Sequence, residues 1–118
     1  MPRDPSLRVK DIVDALERIL EAVDGLSREA FAADQLRVRA VAFDFVVIGE
    51  AASQVPSNIQ ARSPEIPWGI MKAMRNKLAH EYFALSADVL FETATRNLPE
   101  LVAPMRALLL SVQSPPGN

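Results

Sequence analysis

The chain contains no cysteine. Disulfides and thiolate metal sites are therefore excluded, and the composition fits a reducing compartment. It has a single histidine, His80, so a histidine-based zinc site lacks its ligands. No apolar run approaches the roughly 20 residues that a transmembrane helix needs, and Leu108-Leu109-Leu110 is far too short. Met1-Pro2-Arg3-Asp4-Pro5 has no apolar core of the kind a secretion signal carries. These absences lead us to expect a cytoplasmic protein that needs no membrane, metal or other cofactor. An excess of positive charge is lacking as well. Thirteen Lys and Arg face fifteen Asp and Glu, a net charge of −2, which argues against a broad nucleic-acid-binding surface. A small basic cleft is still compatible with that balance. No alternating β-pattern of useful length occurs.

What is present is helical periodicity in a chain of 118 residues, enough for one domain with a real core. Asp4 or Ser6 can cap a first helix, with Pro5 tolerated at its start. Ile12, Leu16, Ile19, Val23 and Leu26 form its apolar stripe, and Asp11, Asp14, Glu17, Arg18 and Glu21 line the wet face. Gly25 is a suitable stop. Ser27 to Phe31 can make a short capped turn. Asp34 then caps a second long helix, which ends near Val55 because Pro56 cannot continue it. Its stripe is Val38, Val41, Phe45, Ile48, Ala52 and Val55. Between Val41 and Ala52 only Asp44, Gly49 and Glu50 interrupt the apolar residues. A helix this apolar is covered on most sides, either inside the bundle or at a subunit interface. Gly49 costs about 1 kcal/mol in a helix interior relative to Ala, which points to a close backbone approach.

Pro64 and Pro67 make residues 57–67 an extended connection, with Ile66 and Trp68 folding it back onto the bundle. A further helix runs from about Pro67 to His80 or Tyr82. A fourth, capped by Ser86, carries Val89, Leu90, Phe91 and Ala94 as apolar positions. A last one starts at Pro99, with Pro104 expected to kink it or to mark a late start, and Met105, Leu108 and Val112 on its apolar side. The pattern defines an all-α fold over residues 1–113: an antiparallel bundle of four main helices with short extra ones. Residues 114–118, Ser-Pro-Pro-Gly-Asn, are expected to be a loose tail.

Chemistry concentrates between Trp68 and Phe83. This stretch holds the only His, Trp and Tyr of the chain. Ile70, Met74 and Leu78 form an apolar stripe, while Lys72, Arg75, Asn76 and His80 lie off it. At about 100° per residue, Arg75 nearly eclipses Tyr82, and Asn76 nearly eclipses His80. The two pairs flank the stripe rather than converging on one point. That spread suits a helix met by a second copy of itself. An unperturbed imidazole titrates in a range suited to proton transfer, which makes His80 a candidate acid or base. Arg75 offers a rigid fork for phosphate, or alternatively a surface cation or helix-to-helix ion pair. Glu50, on an otherwise apolar helix, either pairs with a cation, for which Arg75 is the first candidate, or is a plain surface residue. Lys72 and Lys77 are solvated cations able to attract a polyanion.

Arg75-x4-His80-x-Tyr82 resembles the signature of the HEPN-domain ribonuclease toxins of the HepT-like family. Ile48-Gly49-Glu50-Ala51, Pro64-Glu65-Ile66-Pro67-Trp68 and Asn97-Leu98-Pro99-Glu100-Leu101 are similar to that family in order and spacing. The resemblance spans nearly the whole chain. It implies a HEPN-like bundle and a metal-independent endoribonuclease, the toxin of a toxin–antitoxin pair, with Arg75, His80 and Asn76 as catalytic residues. It also implies a minimal nucleotidyltransferase antitoxin that adenylylates Tyr82. RNA cleavage by 2′-OH attack wants one base and one acid, and a chain with one His supplies both as a homodimer. The alternative is a non-catalytic HEPN partner that binds and regulates a nucleotidyltransferase.

Overall fold

The computed structural model describes residues 4–80 and 87–113, with side chains described as far as Arg75 in the helix that carries the motif. Helix α1 spans Pro5–Val23. Its cap is Asp4, whose Oδ1 accepts from the Ser6 amide at 2.9 Å, and Pro5 occupies the first turn, where a missing N–H is harmless. Helix α1 ends at Val23, and Gly25 follows at φ 74°, the left-handed conformation that a non-glycine residue adopts only at a cost. Helix α2, Arg28–Ala33, is capped by the Ser27 hydroxyl, which accepts from the Ala30 amide at 3.0 Å. Helix α3, Gln35–Gln54, is capped by Asp34, which accepts from the Arg37 amide at 3.1 Å; it stops before Pro56.

The stripes of α1 and α3 form the core. Val9, Ile12, Leu16 and Ile19 meet Val41, Phe45, Ile48 and Ala52, all buried, while Val38 is only partly so. One polar pair crosses this apolar contact. Asp44 is just 8% exposed. The Arg18 guanidinium reaches over from α1 and donates to Asp44 Oδ1 through Nε at 3.1 Å and Nη2 at 2.9 Å. The carboxylate lifts the Arg18 pKa further above its ordinary value. Arg18 was expected to sit simply in water; its head group instead covers a buried acid, a service that only the three-dimensional pairing reveals.

The connection between α3 and the motif helix contains a short helix α4, Ser57–Gln60, not expected from the sequence. Ile59, Ile66 and Trp68 are buried, so the connection does fold back onto the bundle. Trp68 Nε1 donates to the Ser63 carbonyl at 3.1 Å, which ties the loop to the start of helix α5, Trp68–His80. Helix α6, Ala87–Glu92, runs into a π-helical segment, Thr93–Asn97, which no sequence signal marks. The Leu98 amide bonds to the Thr93 carbonyl at 3.1 Å, and the wider turn places both Ala94 and Leu98 in the core. Val89, counted among the apolar core positions, is exposed instead. Arg28 fastens this region to α2: it donates to Glu92 Oε2 at 2.9 Å and to the Asp88 carbonyl at 3.2 Å and lies 5.6 Å from the centre of the Phe91 ring. Phe91 itself packs against Phe31. Helix α7, Pro99–Gln113, continues through Pro104, so a late start is ruled out. Met105 and Leu108 are buried, and Val112 packs against the core.

The described residues contain no strand, and α1, α3, α5 and α7 are the four main helices of an all-α bundle. Helix α3 packs on both α1 and α5, and α7 packs on α1. No described helix is long and apolar enough to cross a membrane. The expected cap Ser86 and the tail 114–118 lie outside the described residues.

Candidate active site

Gly49 sets the position of the motif helix. A Cβ built on Gly49 would stand 2.6 Å from Arg75 Cβ, 2.8 Å from the Arg75 amide nitrogen and 2.9 Å from the Met71 carbonyl oxygen. Two of these neighbours are backbone atoms, so no side-chain rotation relieves the clash. Any larger residue at 49 forces α5 away from α3. The missing side chain is therefore what brings Arg75 against α3, as the cost of a glycine in mid-helix implied.

The phase of α5 differs from the expected one. Ile70 is 69% exposed, whereas Met71 is buried and Met74 packs against the core. The anticipated Ile70–Met74–Leu78 stripe is thus corrected to one centred on Trp68, Met71 and Met74. Apolar residues occupy consecutive positions 70 and 71, so periodicity alone leaves the rotation ambiguous by one residue. The Gly49 contact with Met71 and Arg75 resolves it. The side chain of Leu78 lies outside the described residues.

Rotated this way, α5 directs Arg75 toward Glu50, the residue next to Gly49. Arg75 Nη1 donates to Glu50 Oε2 in a direct ion pair. Glu50 is exposed and Arg75 is half-buried, so the pair sits at the rim of the α3–α5 contact, open to solvent. A water-facing ion pair is weak in itself. It points the guanidinium at Glu50 and leaves both side chains partly in water. Lys72, one turn before on α5, is half-buried and lies on the flank away from Met74. The backbone of Asn76, Lys77 and His80 belongs to α5, but their side chains are outside the described residues, and so is Tyr82 altogether. The structure therefore joins Arg75 to Glu50, with Lys72 about one turn before Arg75 on the same helix. Among the described residues, no three His, Asp or Glu side chains gather as a metal would require.

The helical bundle thus holds an arginine at the rim of two crossed helices, five residues ahead of the chain's only histidine in sequence. The family model for HepT-like ribonucleases matches residues 12–108. A Thermococcus cleftensis protein named "Probable ribonuclease HepT" is 36% identical over 86% of this chain and 92% of its own length. A protein of Caldanaerobacter subterraneus named as an RNase is 31% identical over 91% of this chain and 96% of its own. One from Methanocaldococcus jannaschii, also named as an RNase, is 28% identical over 98% of this chain and 96% of its own. No solved structure matches the chain. The chain belongs to the HepT-like ribonuclease family, and that membership, with the relatives' names, supports ribonuclease activity on an RNA substrate.

Proposed function

We propose that this protein is a metal-independent endoribonuclease, the toxin of a toxin–antitoxin pair, acting as a homodimer in the cytoplasm. The observation that carries the reading is the ion pair of Arg75 with Glu50 at the crossing fixed by Gly49. It keeps a phosphate-binding fork at the surface on the helix that also carries Asn76 and His80. In the proposed reaction one His80 takes the proton from an RNA 2′-OH. The freed oxygen attacks the adjacent phosphorus and the P–O5′ bond breaks. A second His80 returns a proton to the leaving oxygen, giving a 2′,3′-cyclic phosphate and a 5′-OH end. Arg75 exchanges Glu50 for the scissile phosphate and stabilises the charge that develops there. Asn76 orients His80 or contacts the phosphate, and Lys72 and Lys77 attract the flanking backbone. No resident metal takes part.

The need for two histidines makes the dimer part of the mechanism. The outer surface of α3 supports it. Leu36, Phe43, Val47 and Glu50 share one meridian of this helix. Leu36 is 79% exposed and Phe43 67%. An apolar stripe of this kind that leads to Glu50 is suited to cover by a second copy, which would bring two Arg75–Glu50 pairs to one cleft. Control by a minimal nucleotidyltransferase completes the reading. Tyr82 shares the helical meridian of Arg75 if α5 continues, and AMP on its hydroxyl would place bulk and negative charge where RNA phosphate must lie.

The test is cleavage of RNA by the purified protein in EDTA, with the product ends determined. A cyclic phosphate and a 5′-OH are expected, and Arg75→Ala and His80→Ala should abolish them while circular dichroism is unchanged. Cleavage that requires added divalent metal would overturn the mechanism.

A further inference from the structure

The motif helix has a second open side. Between α5 and α7 lies a groove of about 500 Å³. Its floor is α3, through Phe45 and Ile48; one wall is α5, through Met71 and Met74; the other is the start of α7, through Leu101 and Pro104. Helix α5 packs on α3 and α7 on α1, so two helices flank a trough floored by a third. That shape accepts a further helix laid alongside them, at the spacing helices ordinarily keep. The lining is mostly apolar, and Ile70 stands on its edge with most of its side chain in water. Two methionines in the wall suit a face that must mould itself to a partner, because their unbranched side chains adapt to irregular shapes.

The charge at the edges is one-sided. Glu65, in the loop before α5, and Glu100, in the first turn of α7, both line the groove. Neither pairs with a cation among the described residues, whereas Glu17, Glu50 and Glu92 all do. Two acids beside an apolar trough repel nucleic acid and favour an occupant with an apolar face flanked by Lys or Arg. By helical phase, Ile70 and Met74 face nearly opposite to Lys72 and Asn76 on α5. An occupant of the groove therefore leaves the polar flank of the motif helix open.

We propose that this groove is a protein-docking site for a basic amphipathic helix of a partner protein, bound apolar face inward with its cations on Glu65 and Glu100. The docking does not depend on RNA cleavage. Trp68, the chain's only Trp, is buried at the start of α5, between the lining residues Pro67 and Ile70 in sequence, and serves as the reporter. The probe is a Leu/Lys amphipathic peptide of about 15–18 residues, long enough to be helical, titrated against the full-length protein with Trp68 emission as the readout. A Leu/Glu peptide of the same pattern is the control. The Leu/Lys peptide is expected to bind and shift the emission, and the Leu/Glu peptide to bind at least about tenfold more weakly. Ile70→Lys and Glu100→Lys should each weaken the Leu/Lys peptide by about tenfold or more. Glu21→Lys, an identical charge change on the exposed face of α1, should leave it unchanged. Absence of binding, equal binding of the two peptides, or an equal loss in Glu21→Lys would overturn the proposal. So would dodecylamine matching the peptide's affinity, which would make the groove a small-molecule site.

Discussion

Gly49→Ala tests the geometry most finely, because two physical effects of known size pull in opposite directions. Replacing a mid-helix Gly with Ala stabilises an unconstrained helix by about 1 kcal/mol. At this position the new methyl would stand 2.6 Å from Arg75 Cβ and 2.8 Å from the Arg75 amide nitrogen. Carbon atoms pack best at roughly 3.5–4.0 Å, so α5 must retreat from α3 by about 1 Å. Overpacking of this kind typically costs about 1–3 kcal/mol. The net expectation is a loss of up to about 2 kcal/mol, read as a fall in melting temperature of a few degrees. The retreat also carries Arg75 with it. A displacement of about 1 Å at a catalytic group can cost about a hundredfold in rate, so RNA cleavage should fall far more than stability does. Thermal melting followed by circular dichroism and a single-turnover cleavage assay give the two numbers. A variant that melts about 1 kcal/mol higher and cleaves normally would show that propensity alone governs residue 49, and the helix-crossing argument would be wrong.

Other outcomes follow from the same contacts. Glu50→Gln weakens the hold on Arg75 without removing its charge; kcat should drop while the melting temperature barely moves, and an unchanged kcat would reduce Glu50 to a surface residue. Arg18→Ala leaves Asp44 as a buried acid without its donor, at a cost of about 2 kcal/mol, less than for a fully buried pair because Arg18 is half in water; urea unfolding measures it. Tyr82→Phe should remain a nuclease yet gain no AMP-sized mass when incubated with the proposed nucleotidyltransferase partner and ATP, and a mass gain would place the acceptor elsewhere. Asp34 and Glu92 are held below their ordinary pKa, Asp34 by the Arg37 amide and guanidinium and Glu92 by Arg28 and Arg96. A depressed folded pKa adds stability above the unfolded value that is lost as pH falls through the folded one. The melting-temperature gap between the wild type and Glu92→Gln should therefore be constant near neutral pH and close below about pH 4; a gap independent of pH would refute the pairing.

Much of this architecture was legible in the sequence because the signals were local. Caps at Asp4, Ser27 and Asp34, the stop at Gly25 and the break at Pro56 are written in residues a few positions apart, and each appears where expected. The value of Gly49 was legible from its cost, and Glu50 and Arg75 were matched as opposite charges on facing helices. What escaped was information held between elements. The rotation of α5 depends on which of two adjacent apolar residues meets α3, and Gly49 decides it. The cover that Arg18 gives Asp44, the clamp of Arg28 on α6 and the groove beside α5 arise from distant segments brought together, and no periodicity encodes them. The π-helical segment was equally hidden, because nothing in Thr93 to Asn97 marks a change of helix type.

The central claim is that two chains build one catalytic cleft, each supplying a His80. Subunit mixing tests it. Wild-type and His80→Ala chains are unfolded together, refolded in varying ratio at constant total concentration, and assayed for RNA cleavage. If only dimers with two intact histidines cleave, activity falls as the square of the wild-type fraction, to about a quarter at an equal mixture. If each chain cleaves by itself, activity falls linearly, to about half, and the shared cleft is contradicted.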